Sequence, residues 1–272
     1  MLTDVSGKTK LVPILACPVD HVIAPGAYNP AFAARELDWF MVPMGVDPQD
    51  LVATLGQLAK LTNLQGVNLT IPHKAQAFTL CQWVTEEARV TRMVNTLRLE
   101  EGGNWSGTNT DGIGFTNALR AHGMLDLARS VFIAGAGGAG TAIAFALAKA
   151  GVTTIDVVDM DPKRSTALLN SLQNNFPKIT LGNRLEALAR AGLAVNATPM
   201  GLHKGDRSPF DAAILRDDAV FFDIIAARDT ELMSAAQARN LQVLGGRAMM
   251  DHQLAVQIEF WRGDYFDLKS QY

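Results

Sequence analysis

A glycine-rich segment near the middle of the chain most constrains the fold. Residues 131–140 read VFIAGAGGAG, an apolar, β-rich run that leads through a glycine-rich turn into a helix predicted over Thr141–Ala150. A second strand-like run, Thr154–Val158, follows and ends at Asp159. Strand, turn, helix, strand and acid in this order predict a βαβ unit of the dinucleotide-binding type.

The turn and the acid together predict a nucleotide cofactor. Gly135, Gly137 and Gly140 fit G-x-G-x-x-G/A, which lets backbone N–H groups and a helix N-terminus approach a pyrophosphate. Asp159 lies about 20 residues beyond the turn, where a carboxylate can accept hydrogen bonds from both ribose hydroxyls. The glycines alone are a weak signal, because any tight strand-to-helix turn can contain them, and a turn without cofactor is the alternative. The complete pattern indicates NAD, bound by Gly135, Ala136, Gly137, Gly138, Ala139, Asp159 and Met160.

Composition limits the partners that the chain can have. Of its 272 residues, 48% are hydrophobic and 19% are charged, and the formal net charge is −3. The chain has no excess of basic residues that would indicate nucleic-acid binding. It also has no polybasic run that would indicate binding to a membrane surface. Cys17 and Cys81 are too few for a disulfide framework and lie in no Cys/His cluster. We therefore expect a cytoplasmic protein with reduced thiols and no metal.

Short apolar runs alternate with helical patterns, which predicts two α/β domains. We expect a substrate domain over 1–110, completed by the C-terminal helix within 246–272, and a Rossmann NAD-binding domain over 111–245. Pro30 and Asp47 are the expected helix start signals in the substrate domain. We expect a largely parallel sheet in this domain, with a hairpin turn at Gly102–Gly103. The expected strands are Leu11–Ala16, Trp39–Pro43, Gly66–Leu69, Val94–Leu99 and Asn104–Thr108. Its expected helices are Ala31–Leu37, Gln49–Leu61 and Lys74–Leu80. In the rest of the chain we expect helices at Asp111–His122 and Met249–Trp261 and strands near Leu193–Val195, Val220–Asp223 and Gln242–Leu244.

Polar side chains lie at predicted strand ends and turns of the first domain, where ligands bind in open α/β sheets. Thr70, Asn95 and Asp111 are of a kind that can hydrogen-bond a polyhydroxylated small molecule. Lys74 begins a predicted helix, where a cation opposes the macrodipole, and this favours proton transfer near neutral pH. Asp111 could hold Lys74 in position and share the proton. A surface Lys and a capping Asp explain the same two residues equally well.

Seven segments of the chain resemble the shikimate dehydrogenases. They are PVDH (Pro18–His21), NLTIPHK (Asn68–Lys74), VNT (Val94–Thr96), NTDGIGF (Asn109–Phe115), GAGGAG (Gly135–Gly140), NATPMG (Asn196–Gly201) and MMDHQ (Met249–Gln253). They occur in that family's order from about residue 13 to residue 262. The resemblance implies a two-domain enzyme that reduces 3-dehydroshikimate at a ketone with a nicotinamide hydride, without a metal.

The resemblance also implies roles for individual residues. Lys74 and Asp111 match the family's catalytic Lys–Asp pair. Residues that match its binders of substrate hydroxyl groups are Thr70, Asn95 and Gln253. Residues that match the nicotinamide side of its site are Asn196, Thr198, Pro199, Met200 and Gly246. For the NATPMG segment, a strand followed by a Pro–Gly turn is the alternative explanation.

Three positions depart from the family, and all three concern the substrate. The family's H-S-x-S-P motif holds the substrate carboxylate with two serine hydroxyls, but here Val22 and Ala24 occupy both serine positions. Ala226 stands where the family usually has a Tyr. Each lost partner of a buried carboxylate costs roughly 1–3 kcal/mol. We therefore hypothesise a substrate with a different or absent carboxylate; the other possibility is that Tyr28 or Arg228 supplies the missing contact.

The choice of cofactor is a further departure. NADP-dependent members of the family typically have an Arg just after the second strand of the nucleotide domain, where it pairs with the 2′-phosphate. Here that stretch is Asp159, Met160 and Asp161. Two carboxylates repel a phosphate dianion and Met160 offers no donor, so NAD is favoured over NADP, although Arg164 nearby leaves some room for NADP.

The leading hypothesis is an NAD-dependent oxidoreductase that transfers hydride reversibly at a ring hydroxyl or ketone of a shikimate- or quinate-like cyclic polyol. One alternative is an ordinary shikimate 3-dehydrogenase of aromatic amino acid biosynthesis that tolerates Val22 and Ala24. Another is a non-catalytic NAD-binding protein. No nucleic acid or membrane partner is expected, and the sequence allows a monomer or a homodimer.

Overall fold

The computed structural model describes residues 5–126 and 129–264 of the chain. Contacts divide the chain into two compact units, one comprising Met1–Thr110 with Leu254–Tyr272 and the other Asp111–Gln253. The first division lies between Thr110 and Asp111, and the domain bounds expected from the sequence stay a prediction. The second lies inside the last helix, eight residues later than the expected boundary at 245/246.

The first unit contains a mixed β-sheet. Its strands are β1 (Lys10–Ala16), β2 (Trp39–Gly45), β3 (Val67–Leu69), β4 (Cys81–Val84), β5 (Thr96–Leu99) and β6 (Trp105–Thr108), in the order β2-β1-β3-β5-β6-β4. β1 pairs in parallel with β2 and β3, and β4 pairs in parallel with β6. β5 is antiparallel to β3 and β6, so the sheet is less parallel than the sequence predicted. The predicted hairpin turn at Gly102–Gly103 is confirmed, since it joins β5 to β6 with both glycines at positive φ.

In the part of the first unit that the structure describes, four α-helices lie wholly within it. They are α1 (Ala24–Ala33), α2 (Leu51–Leu58), α3 (Lys74–Leu80) and α4 (Glu86–Thr91). The predicted helix Ala31–Leu37 is wrong, because α1 starts seven residues earlier and Pro30 lies inside it rather than at its start. Glu36 ends this region at φ 56°, in the left-handed conformation, without the glycine that usually signals such a stop. Asp47 precedes a 3₁₀ turn but makes no capping bond with its side chain.

The second unit is a parallel Rossmann sheet, which confirms the predicted fold class. Its elements are α5 (Asp111–Ala121), β7 (Val131–Ala134), α6 (Gly138–Ala150), β8 (Thr154–Val158), α7 (Pro162–Asn175), β9 (Thr180–Gly182), β10 (Leu193–Asn196), β11 (Val220–Asp223), α8 (Glu231–Ala238) and β12 (Gln242–Gly245). The strand order is β9-β8-β7-β10-β11-β12, and all of its pairings are parallel. This is the 3-2-1-4-5-6 order of the Rossmann fold. The order in which the chain adds strands to the sheet reverses between the neighbouring strands β7 and β10.

The last helix, α9 (Gly246–Arg262), contributes its C-terminal half to the first unit. The indole N–H of Trp261 donates to the Leu97 carbonyl at 3.1 Å. Its rings meet those of Phe32 and Trp39 edge-on, and all three side chains are buried. The C-terminal segment therefore completes the core of this unit. Among residues 5–126 and 129–264, no helix is long and apolar enough to cross a membrane.

Helices α5 and α6 of the second unit approach closely at a glycine. A Cβ atom at Gly112 would lie 2.4 Å from the Ala142 carbonyl oxygen and 2.7 Å from the Ala146 Cβ. A real Cβ cannot occupy that position unless the two helices move apart. The close packing of these helices therefore requires glycine at position 112.

We expect Gly112→Ala to lower the free energy of unfolding by about 1–3 kcal/mol, because the added methyl overpacks a helix contact. Urea denaturation measures this change. Gly56→Ala in α2 is the matched control, since a Cβ there meets nothing within 4 Å. The control should be neutral or stabilise the protein by up to about 1 kcal/mol. Equal effects of the two substitutions would show that the contact at Gly112 is not tight.

Candidate functional site

The glycine turn joins β7 to α6 in the second unit. Gly135 has φ 103°, a backbone angle that residues with a side chain rarely adopt. A Cβ there would also lie 2.7 Å from the Ala197 carbonyl oxygen. The Gly135 N–H donates to the Val158 carbonyl at 2.7 Å, which ties the turn to the end of β8. Glycine at 135 is therefore required by the fold as well as by the predicted ligand.

The turn leaves space for a phosphate group at the start of α6. Gly137 is the N-cap of this 13-residue helix, and a Cβ there would meet nothing within 4 Å. Gly138 and Ala139 begin the helix, where free N–H groups and the helix dipole favour an anion. The residues present thus fit the pyrophosphate of a dinucleotide, the group that the sequence predicted for them.

Asp159 is hydrogen-bonded to this turn. Its Oδ2 accepts from the Ala136 N–H at 2.7 Å, and its Oδ1 accepts from the Asp161 N–H at 2.9 Å. Met160, between the two acids, is 93% exposed. The carboxylate therefore supports the turn itself, a role that its spacing did not predict. The contact expected between Asp159 and ribose stays a prediction.

Asn196, at the end of β10, shapes the segment expected to border the nicotinamide. Its Oδ1 accepts from the N–H and the hydroxyl of Thr198, at 3.0 and 2.7 Å. Its Nδ2 donates to the Met200 carbonyl at 3.1 Å, while the Met200 N–H donates to the Thr198 hydroxyl oxygen at 3.1 Å. The side chain is fully buried. Its amide thus organises the turn around Pro199, and a direct contact of Asn196 with cofactor is not tested.

Asp223, at the end of the neighbouring strand β11, completes this network. Its carboxylate accepts hydrogen bonds from Asn196 Nδ2, Thr230 Oγ1 and the Ile225 N–H, at 3.2, 2.8 and 3.0 Å. Asp223 is 0% exposed, and burial raises the pKa of its carboxyl although these hydrogen bonds oppose the rise. The sequence did not single out Asp223. Its one signal was an acidic residue at the end of an apolar strand.

In the first unit, Thr70, His73 and Lys74 follow β3 in one short segment. The Thr70 N–H donates to the Leu15 carbonyl at 3.1 Å, and the His73 N–H donates to the Thr70 carbonyl at 2.9 Å. Lys74 is the first residue of α3 and is half-buried. The segment therefore presents the predicted Thr70 and Lys74 from a turn that the strand holds in place.

His73 is buried directly beside Lys74. It is 1% exposed, and neither ring nitrogen has a hydrogen-bond partner among the residues that the structure describes. Burial lowers the pKa of its imidazole, and the nearby backbones of Val46 and Ala16 oppose this only in part. His73 therefore remains neutral at pH 7 and adds no charge next to the lysine.

Asn95 lies just before β5 and is 2% exposed. Its Oδ1 accepts from the Thr110 N–H at 3.0 Å and from the Thr96 hydroxyl at 2.8 Å. The amide is therefore held in one orientation by Thr96 at the start of β5 and by Thr110 between β6 and α5. Thr110 is a residue that the sequence gave no reason to select.

Asp111 and Gln253 come together within the second unit. Asp111 is the first residue of α5 and is 4% exposed, and Gln253 of α9 donates from Nε2 to its Oδ1 at 3.3 Å. The helices meet closely there, since a Cβ at Gly114 would lie 2.3 Å from Gln253 Cγ. Gly246, expected to border the nicotinamide, begins α9, where a Cβ would collide with the Ile224 carbonyl.

Val22 and Ala24 lie at the start of α1. The Val22 N–H donates to the Val19 carbonyl at 3.0 Å, and Ala24 is the first helical residue. Neither side chain can form a hydrogen bond. Tyr28, one turn further along α1, is 2% exposed, and its hydroxyl donates to Gln257 Oε1 at 2.6 Å. The Tyr28 hydroxyl is thus bonded inside the first unit, and its contact with a substrate carboxylate stays untested.

Arg228, the other residue considered for that contact, is bound within the second unit. Its two terminal nitrogens donate to the Glu231 carboxylate at 2.9 and 2.8 Å, and one also donates to the Gly201 carbonyl at 3.0 Å. The guanidinium lowers the pKa of Glu231 to about 2. Ala226, two residues earlier, is half-buried and supplies no polar group.

No cluster of three or more His, Cys, Asp or Glu side chains suited to a metal ion occurs in the described ranges 5–126 and 129–264. Both cysteines are free thiols. Cys17 donates to Asp47 Oδ1 at 3.3 Å, and this bond raises the pKa of its thiol.

Known proteins are similar to this chain over nearly its full length. The family model of the shikimate dehydrogenase substrate binding domain matches residues 14–97. The shikimate dehydrogenase (NADP(+)) of Rubrobacter xylanophilus is 35% identical, over 95% of this chain and 93% of its own.

Two solved structures have the same fold over nearly their full length. Shikimate 5-dehydrogenase from Thermus thermophilus, in complex with NADP(H) and shikimate, is 31% identical with a TM-score of 0.85, over 94% of each chain. Quinate dehydrogenase from Corynebacterium glutamicum, in complex with NAD, is 27% identical with a TM-score of 0.82, over 96% of each chain.

Asp223→Asn tests the buried carboxylate in the second unit. Because its pKa is raised in the fold, the folded protein takes up a proton at higher pH than the unfolded chain does. The charged form therefore destabilises the fold at neutral pH, and this penalty is relieved as the pH falls toward about 4, the ordinary Asp pKa. The unfolding free energy of the wild type minus that of the variant should therefore increase as the pH is lowered from about 7 to about 5.

Urea titrations at the two pH values measure this difference. Thr230→Val is the control, since it removes one donor to the same carboxylate without removing the charge. Because the Thr230 hydroxyl stabilises the charged carboxylate, its loss should cost about 1 kcal/mol at pH 7 and less at pH 5, the opposite trend to Asp223→Asn. A wild-type advantage over Asp223→Asn that stays constant with pH would contradict the raised pKa.

Proposed function

Because the chain belongs to the shikimate dehydrogenase family of oxidoreductases, we propose that it transfers hydride between NAD and a shikimate- or quinate-like cyclic polyol. The reaction is reversible and takes place at a ring hydroxyl or ketone, and recognition of the carboxylate is altered. The observation that carries this proposal is a contrast among the residues that match the family's substrate-binding positions. Thr70, Asn95 and Gln253 match its binders of hydroxyl groups, whereas Val22 and Ala24 stand in place of its carboxylate-binding serines.

The protein's own residues have distinct tasks in this reaction. NAD, when bound at the Gly135–Gly140 turn, supplies or accepts the hydride. Lys74 donates a proton to the reacting oxygen during ketone reduction and accepts it during alcohol oxidation, and Asp111 serves as its catalytic partner. Asn95 and Gln253, whose amides are held by Thr110 and by Asp111, bind hydroxyl groups of the ring.

Altered carboxylate recognition is supported by the surroundings of Val22 and Ala24. Both side chains are apolar at the start of α1, so neither offers a donor to an anion. The Tyr28 hydroxyl is bonded to Gln257, and the Arg228 guanidinium is bonded to Glu231. A substrate carboxylate at this position would lack the donors that the family normally provides. A substrate with a neutral group there loses nothing.

Restoring the serines tests this proposal. We expect Val22→Ser with Ala24→Ser to lower the KM for shikimate, because hydrogen bonds to a charged group contribute about 1.5–3 kcal/mol each. That range corresponds to about 10- to 150-fold per bond. Steady-state kinetics on shikimate, quinate and carboxylate-free cyclic polyols measures the change. The wild type should prefer the carboxylate-free polyols.

Val22→Ala is the matched control, because it removes the same side-chain volume without adding a hydroxyl. It should leave the KM for shikimate nearly unchanged. Turnover of shikimate by the wild type at low KM, with no gain from the two serines, would rule out altered carboxylate recognition. The chain would then be an ordinary shikimate dehydrogenase, the function that the name of its Rubrobacter relative favours.

NAD is proposed over NADP because of the charges after β8. Asp159 and Asp161 place two carboxylates beside the predicted ribose position, and Met160 between them has no donor for a phosphate. The carboxylate of Asp159 already accepts the Ala136 N–H, so its charge is held at the turn. The relative from Rubrobacter is named for NADP(+), so this preference separates the chain from it.

Asp159→Asn tests the cofactor preference. We expect the Kd ratio of NADP to NAD to fall about tenfold, because the variant removes a charge that repels the 2′-phosphate while keeping an acceptor for Ala136. Titration of both cofactors by fluorescence measures the ratio. Asp161→Asn removes an equal charge two residues away and retains the cap on Lys163, so it should lower the same ratio by less than Asp159→Asn does. If Asp159→Asn leaves the ratio unchanged, the aspartate does not discriminate between the cofactors.

A non-catalytic NAD-binding protein is the remaining alternative. It would bind NAD in the same titration but oxidise no member of the polyol panel. The presence of Lys74 and Asp111 argues against it, since a binding protein needs neither group.

A further inference from the structure

An ion pair connects the segment that follows β10 to the start of α8 in the second unit. This segment, residues 197–206, includes three of the residues expected to border the nicotinamide. Arg228, in the connection between β11 and α8, donates to the Gly201 carbonyl at 3.0 Å. Its two terminal nitrogens also donate to the carboxylate of Glu231, the first residue of α8, at 2.9 and 2.8 Å. One guanidinium therefore joins the segment to the helix.

Arg228 holds the segment at the point where its backbone turns. The Asn196 amide supports the segment up to Met200, and Gly201 follows with φ 97°, in the left-handed region that favours glycine. A Cβ at Gly201 would lie 3.3 Å from Thr230 Cγ2, so the segment passes directly against the N-cap residue of α8. The bond from Arg228 therefore continues the support of the segment beyond the last residue that Asn196 contacts.

Glu231 faces a later part of the same segment. The Arg228 guanidinium is the main reason that the pKa of Glu231 falls to about 2, and the backbone of Gly205 adds a smaller contribution in the same direction. Gly205 therefore lies beside the carboxylate. The pair thus meets the segment at two places, Gly201 and Gly205, and it remains ionised at neutral pH.

The geometry of the pair suits a positioning role. Exposed ion pairs contribute little to stability as a rule, because water screens them and both side chains lose freedom. Here the guanidinium binds both carboxylate oxygens of Glu231, and the Arg228 side chain is 29% exposed. A two-point bond of this kind fixes the plane of the guanidinium. Its Nη1 therefore donates to Gly201 in a constant direction.

We propose that Arg228 is a positioning residue that, braced by Glu231, holds the turn at residues 199–201 beside the nicotinamide end of the cofactor. This inference rests on the proposed function, in which the segment borders the nicotinamide. Asn196 supports the turn from the strand side, and Arg228 supports it from the helix side. In this role Arg228 acts through the backbone of the segment rather than by contact with the cofactor. Its loss loosens the turn and leaves the glycine turn at residues 135–140 unchanged.

Binding of NADH and of ADP-ribose to Arg228→Ala tests the proposal, because ADP-ribose has the adenosine and the pyrophosphate but lacks the nicotinamide. We expect the Kd for NADH to rise about 3- to 10-fold and the Kd for ADP-ribose to change by less than about twofold. Isothermal titration calorimetry measures both values. Arg216→Ala is the matched control, since Arg216 makes the same two-point bond to Asp218 but donates to the Arg190 carbonyl instead of to the segment. It should change neither Kd.

Hydrogen exchange of the protein without ligand gives a second measurement. The backbone amides of residues 200–206 should exchange at least about threefold faster in Arg228→Ala than in the wild type, and at the wild-type rate in Arg216→Ala. Unchanged exchange in Arg228→Ala would overturn the proposal. An unchanged Kd for NADH, or an equal loss of affinity for NADH and ADP-ribose, would also overturn it.

The same titrations separate this proposal from the proposed function. A wild type that binds NADH but oxidises no member of the polyol panel would count against the proposed function alone, because the comparison of NADH with ADP-ribose still decides the role of Arg228. A wild type that binds neither nucleotide would overturn both.

Discussion

Buried polar side chains at the ends of strands need hydrogen-bond partners within the protein, and the candidate site residues depend on this requirement. In the first unit, Thr110 and Thr96 satisfy the Asn95 oxygen. In the second unit, Asn196 and Asp223 satisfy each other. An unsatisfied group would cost about 1–3 kcal/mol, so each of these side chains is held in one orientation. The loops that follow them are shaped by the same bonds.

This requirement separates residues that support the site from residues that contact ligands. Asn196, selected from the sequence as a cofactor residue, uses its amide to shape the turn up to Met200. Asp159 likewise supports the glycine turn through Ala136. By contrast, Val22 and Ala24 have no polar atoms to satisfy, so the fold tolerates them in place of hydroxyl residues. Val22 and Ala24 therefore leave no buried polar group unsatisfied, and under the proposed function their effect is on substrate binding.

Much of the fold was predictable because its signals are local. The β7–α6–β8 unit follows from apolar runs and from the glycine turn, and the start of α3 at Lys74 follows from periodicity. The short strand β4 was not predicted, because a half-buried strand of four residues is defined by its pairing with β6. The position of α1 was also missed. Pro25 supplies the helix start, whereas Pro30 lies inside the helix and gave a false start signal.

The sequence by itself determined the Rossmann unit, the family and the residues expected to bind ligands or transfer protons. Each of these follows from short contiguous sequence motifs. Only the tertiary structure decided which of those side chains are free to meet a ligand and which are used internally. The Tyr28 hydroxyl bonds to Gln257, which lies 229 residues away in the chain. Asp223 likewise bonds to Asn196 across two strands. Such pairings depend on packing between distant segments, and no local spacing encodes them.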